Sequence, residues 1–114
     1  MERFVEQALL YDFYGELLTD NQKNVYEDVI LNDYSLSEVA EERGISRQGV
    51  HDLIKRTNKS LMEYEEKLHL VEKFLHIKEK VNQIQATVEQ AETIEKHQLI
   101  ERIETISNEI LEEL

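Results

Sequence analysis

The feature that most narrows what this chain can fold into is the absence of proline from all 114 residues, together with a glycine count of three. Hairpins, sandwiches and barrels need frequent turn residues at their corners, and Gly15, Gly44 and Gly49 are too few to supply them. Helix is the element that tolerates such a sequence. Apolar residues make up 40% and charged residues 33%, a composition that suits packed helices rather than a disordered chain. Cysteine is absent, which excludes a disulfide framework, a thiolate zinc site and a thiol nucleophile. No stretch has the length of a membrane span, and Met1–Leu10 has no uninterrupted apolar region of the kind a leader carries. The expectation is an all-α cytoplasmic protein.

Helical periodicity and capping signals divide the chain. Phe4, Ala8, Tyr11, Gly15 and Leu18 recur at steps of four and three, with Leu10, Tyr14 and Leu17 widening the stripe. Thr19 and Gln22 read as a capping box before a second helix that buries Val25, Tyr26, Val29 and Ile30. Ser35 and Glu38 read as another box, opening a short third helix. Gly44 suits a left-handed residue past its end, and Ser46 then caps a fourth helix. From Val50 an apolar seam runs through Ile54, Thr57, Leu61, Tyr64, Leu68, Val71 and Leu75, and it slips phase near His76–Lys80. Ile77, Val81, Ile84, Val88 and Ala91 follow the new phase, and Leu99, Ile103, Ile106 and Ile110 follow a polar stretch. We therefore expect a head over residues 1–75 and a helical, amphipathic tail of two or three helices over 76–114.

Two short helices meeting across a glycine turn are the sequence form of a helix-turn-helix, here about Leu36–Lys55. Leu36, Val39, Ala40, Ile45, Val50, Leu53 and Ile54 supply its packing, Ala40 as the small contact. Arg43 stands where another apolar residue is expected, which weakens the match slightly unless its stem lies along the core and its head reaches water. The outward face of the second helix then carries Ser46, Arg47, Gln48, His51, Asp52 and Lys55. Arg47 and Gln48 are the residue types that bond guanine and adenine edges, while Lys55, Arg56 and Lys59 suit phosphates. Asp52 can accept from a cytosine amine but repels phosphate.

Net charge is −12, which opposes unspecific binding to nucleic acid. Residues 43–60 are the exception, with 5 basic and 1 acidic side chain, against 2 and 11 in residues 1–42 and 6 and 13 in residues 61–114. The one cationic segment coincides with the helix-turn-helix.

The segments Leu18-Thr19-Asp20-Asn21-Gln22, Ser35-Leu36-Ser37-Glu38-Val39-Ala40-Glu41 and Gly44-Ile45-Ser46-Arg47-Gln48-Gly49-Val50 resemble the bacterial YlxM family over residues 1 to about 75. The resemblance implies a helix-turn-helix like the promoter-reading fourth region of sigma factors, without a wing. It also implies a regulatory part in the signal recognition particle pathway, beside whose GTPase gene the family's genes lie. The expected function is a nucleic-acid-binding regulator of that pathway, with RNA or DNA as ligand and targeting components as partners. The alternatives are a DNA-binding transcriptional regulator and a protein-binding adaptor without nucleic-acid contact.

Other chemistry leaves few traces. Glu65, His69, Glu72 and His76 have a four-three-four spacing that would align metal ligands on one helix face, but ordinary glutamate–histidine pairing explains it better. No phosphate-binding glycine loop or nucleophile elbow occurs, so no enzyme, cofactor or metal is expected. Leu61, Leu68 and Leu75 exceed what a small head needs, which points to a homodimer or to a tail that folds back as a hairpin.

Overall fold

The computed structural model describes residues 2–114, and among them there are helices and no strand. The helices are α1 (Arg3–Tyr14), α2 (Asp20–Tyr26), α3 (Leu36–Arg43), α4 (Arg47–Leu68), α5 (Leu70–Glu89) and α6 (Lys96–Glu113). A 3-10 turn, Gly15–Leu17, follows α1, and a wider π turn, Glu27–Leu31, extends α2. The chain divides into two compact units at His69–Leu70.

In the first unit the predicted caps form. Gln22 N–H donates to Thr19 Oγ1 at 3.2 Å, and Thr19 N–H donates to Gln22 Oε1 at 3.0 Å. Glu38 N–H donates to Ser35 Oγ at 3.0 Å, with the return bond at 3.4 Å. Each box satisfies amides that a helix start leaves free. Val25, Val39, Ala40 and Val50 form the core at the meeting point of α2, α3 and α4, and Val29, Leu36, Leu53 and Ile54 pack around them. Ile45, expected in this core, is exposed. It lies in the turn itself, where its N–H bonds back to Ala40 O and its side chain faces outward.

The predicted first stripe is buried at Leu10, Tyr14, Gly15 and Leu18, and the structure departs from it at Phe4, Leu17 and Gln7. Gln7, Leu10 and Tyr14 are buried, whereas Phe4 and Leu17 are exposed. Tertiary contacts choose this face. Tyr14 Oη donates to Glu65 Oε1 at 2.5 Å, Gln7 Nε2 reaches Asn58 at 3.4 Å, and Tyr11 stacks on Tyr26 with ring centroids 5.5 Å apart. Tyr11 also donates to Glu27. Tyr26 is fully buried and donates to Asn58 Oδ1 at 2.6 Å. Burial pushes its phenol up to about 12, with Arg3 pulling weakly the other way. Val29 and Ile30, expected to be buried with Val25 and Tyr26, are half-buried in the π turn.

The long seam does not run along one helix. Val50, Thr57 and Leu61 are buried along α4, but α4 ends at Leu68 because His69 turns left-handed, with φ 56°. Its N–H still donates to Glu65 O at 2.8 Å. The expected slip at His76–Lys80 lies inside the continuous helix α5.

In the second unit α5 and α6 run antiparallel. His76 Nδ1 and Glu113 Oε1 lie 3.0 Å apart, Lys80 pairs with Glu109, and Arg102 donates to Gln90 Oε1 at 3.2 Å. The bond to Glu109 raises the Lys80 pKa. Thr87 and Ile106 are buried and line the groove between these two helices.

Candidate nucleic-acid interface

The turn between α3 and α4 is made by residues whose conformations the sequence dictates. Gly44 has φ +66° and ψ 31°, a region that costs other L-residues about 1–2 kcal/mol. Its N–H and that of Ile45 bond back into the last turn of α3, closing it as a left-handed cap. Ser46 then caps α4, its Oγ accepting from Gly49 N–H at 2.9 Å. Gly49 has a local reason to be small: a Cβ there would lie 3.1 Å from that oxygen. Arg43, in the last turn of α3, reaches Asp28 Oδ2 at 3.6 Å and keeps 28% of its side chain exposed, but its Nε is buried without a hydrogen-bond partner among the described residues, so the head meets Asp28 and is only partly in water, not fully solvated as expected.

With Val50 fully buried and Leu53 and Ile54 packed inward, the opposite side of α4 faces solvent. Ser46, Arg47, Gln48, His51, Asp52 and Lys55 are all exposed on it. The structure thus brings the predicted contacting residues onto the first turns of one helix. Asp52 is not isolated among them. Gln48 Nε2 donates to its Oδ1 at 3.0 Å, and His51 Nδ1 lies 3.6 Å from the same oxygen. The carboxylate is therefore engaged along its own helix, and the Gln48 carbonyl oxygen remains an acceptor.

Arg56 and Lys59 continue along α4 and, with Lys55, line a groove that α4 forms with the start of α1. Arg3 lines the same groove. The sequence carried no signal for Arg3, which lies 52 positions from Lys55 in the chain and joins the basic surface only through the packing of α1. Glu63, Glu65 and Glu66 line the other end.

Of the residues with metal-ligand spacing, Glu65 lies on α4 and Glu72 and His76 on α5, with the left-handed His69 between the two helices, so the single continuous helix that the spacing assumed is not formed. Among the described residues no group of three or more histidines, cysteines, aspartates or glutamates is placed to hold a metal ion. No helix among them is long and apolar enough to cross a membrane.

A short helix, a left-handed glycine and a capped second helix with its polar start in solvent place the chain in the class of helix-turn-helix proteins. Residues 1–105 match the family model UPF0122, described as "Putative helix-turn-helix protein, YlxM / p13 like", and the chain belongs to that family. A UPF0122 protein of Thermoanaerobacter sp. strain X514 is 46% identical over 110 residues, covering 96% of this chain and 94% of the relative. One from Acetivibrio thermocellus is 42% identical over 116 residues, covering 98% and 99%. One from Caldanaerobacter subterraneus subsp. tengcongensis is 51% identical over 85 residues, covering 75% and 73%.

Proposed function

We propose that this chain is a non-enzymatic, cytoplasmic regulator that binds nucleic acid through the start of α4. The observation that carries the reading is the exposed cluster Arg47, Gln48 and His51, held at the capped end of a helix whose inner face is packed into the core. In this reading Arg47 and Gln48 contact base edges, Ser46 and His51 flank them, and Lys55 holds a phosphate. Arg56 and Lys59 add positive charge further along the same helix.

The family resemblance supplies the pathway: the partners are components of the signal recognition particle, and the nucleic acid is an RNA or ribonucleoprotein rather than free duplex DNA. Charge supports that preference. A net charge of −12 opposes approach to a polyanion, and a few basic side chains neutralise only a few phosphates. A ribonucleoprotein offers protein contacts to the acidic remainder of the chain in addition to its RNA.

Crosslinking in living cells followed by sequencing of the bound nucleic acid tests this. Enrichment of the targeting RNA, or of its GTPase in the same pull-down, is the expected result. Reproducible enrichment at a few promoters with inverted repeats would refute it in favour of transcriptional regulation. Recovery of protein partners with no nucleic acid would refute it in favour of an adaptor.

A further inference from the structure

The solvent face of α4 carries a second pattern beyond the turn. Lys55, Arg56 and Lys59 lie on it, followed by Met62, Glu63 and Glu66, and all six are exposed. Their spacing places them on one stripe, opposite the buried Val50, Thr57 and Leu61. The stripe is cationic toward the start of the helix and anionic toward its end, with Met62 at the transition. Beside it runs the groove between α4 and the start of α1, about 1220 Å³ in volume, whose apolar lining is Phe4, Ile30, Ile54 and Met62. Phe4 is 67% exposed and Met62 57%. One exposed apolar side chain is ordinary, but two large ones lining a groove with charged edges form the kind of surface that partners cover.

A helix with a positive half and a negative half is complementary to itself under a two-fold axis. When two copies of α4 lie antiparallel and cross next to Met62, Lys59 faces the partner's Glu63 and Arg56 faces the partner's Glu66. The two-fold repeats each pair, and Met62 lies at the axis beside the groove. A parallel arrangement would set like charges together. We propose that this face of α4, with the groove it forms with α1, binds a second copy of the chain as an isologous dimer.

The charge pattern selects this occupant. Glu63, Glu65 and Glu66 line the same groove and repel phosphate, so a nucleic acid fits only half of it, and an acidic helix likewise fits only the cationic half. Of the leucine seam expected from the sequence, Leu61 is fully buried within the chain whereas Leu68 is exposed, so its leucines do not present one surface to a partner. Pairing uses Arg56, Lys59, Glu63 and Glu66 of the groove lining, and Arg47 and Gln48, which do not line the groove, stay open to nucleic acid. The proposal does not rest on that nucleic-acid reading.

Sedimentation equilibrium of the full chain at low salt, without nucleic acid, tests it. The native chain should be a dimer in the micromolar range. Lys59→Glu and Glu63→Lys should each weaken self-association on the order of tenfold or more, since each turns two attractive pairs repulsive. Circular dichroism should be unchanged, as both side chains are exposed. Mixing the two variants should restore association, because each supplies the charge the other has lost. A native chain that stays monomeric, reversals that leave the dimer intact, or variants that do not associate on mixing would overturn the proposal. Lys59→Glu that weakens nucleic-acid binding but leaves self-association unchanged would also overturn it, by assigning that lysine to phosphate.

Discussion

Gly44 is the residue on which the angle between α3 and α4 depends, and its replacement isolates a backbone effect. A Cβ built at this position meets no atom within 4 Å, so Gly44→Ala creates no collision. What remains is the cost of holding an L-residue at φ +66°, about 1–2 kcal/mol. Gly44→Asn should cost less, because asparagine enters the left-handed region more readily. Gly49→Ala provides the contrast: its gain in helix propensity of about 1 kcal/mol is opposed by crowding of the Ser46 cap at 3.1 Å, so it should be nearly neutral. Thermal unfolding followed by circular dichroism reads these differences. For a unit of 60–100 residues, about 1 kcal/mol lowers Tm by roughly 4–8 °C. The expected order of stability is native, Gly44→Asn, Gly44→Ala. A Gly44→Ala chain that melts with the native one, or an asparagine variant as damaged as the alanine one, would refute the left-handed turn.

Three further outcomes follow from the packing. Leu61 is fully buried, and Leu61→Ala should cost about 2–5 kcal/mol in urea unfolding; a loss within experimental error would show that α4 does not bury this face. Ser46 caps α4 through Gly49 N–H, and Ser46→Ala should cost about 1 kcal/mol, whereas Ser46→Asp should retain most of the stability. Alkaline pH should unfold the chain through its buried tyrosines: the unfolded phenol ionises near 10.0 and folded Tyr26 only near 12, so the stability from its neutral form is complete below pH 10 and is lost as pH rises to about 12. Tyr11 is shifted in the same direction, first by burial and then by its bond to Glu27. Helix that persists unchanged by circular dichroism well above pH 12 would contradict this.

The parts of the fold legible in the sequence are those fixed locally. The boxes at Thr19–Gln22 and Ser35–Glu38, the left-handed Gly44 and the Ser46 cap each depend on residues within one turn of one another. The face of α1 was legible in part: Leu10, Tyr14, Gly15 and Leu18 of the expected stripe are buried, but the burial of polar Gln7 carried no signal, because it rests on contact with the distant Asn58. The end of α4 was hidden for a different reason. Histidine is among the residues that enter the left-handed region more often than most, yet His69 lacks the glycine or proline that announces a stop, and the apolar spacing continues across it from Leu68 to Val71. At the interface, the residues on α4 were readable from helical spacing, but Arg3 and the Gln48–Asp52 bond came from tertiary packing and rotamer choice.

The central claim, that the first turns of α4 contact nucleic acid, is tested most directly by fluorescence anisotropy. The ligand is the nucleic acid crosslinked to the native chain, titrated at several salt concentrations beside sequence-altered versions. Arg47→Ala should lose preference for the native sequence by about 1–3 kcal/mol. Lys55→Ala should weaken every sequence alike and reduce the salt slope by about 1. Native-like affinity, sequence preference and salt slope in a chain carrying both substitutions would contradict the claim.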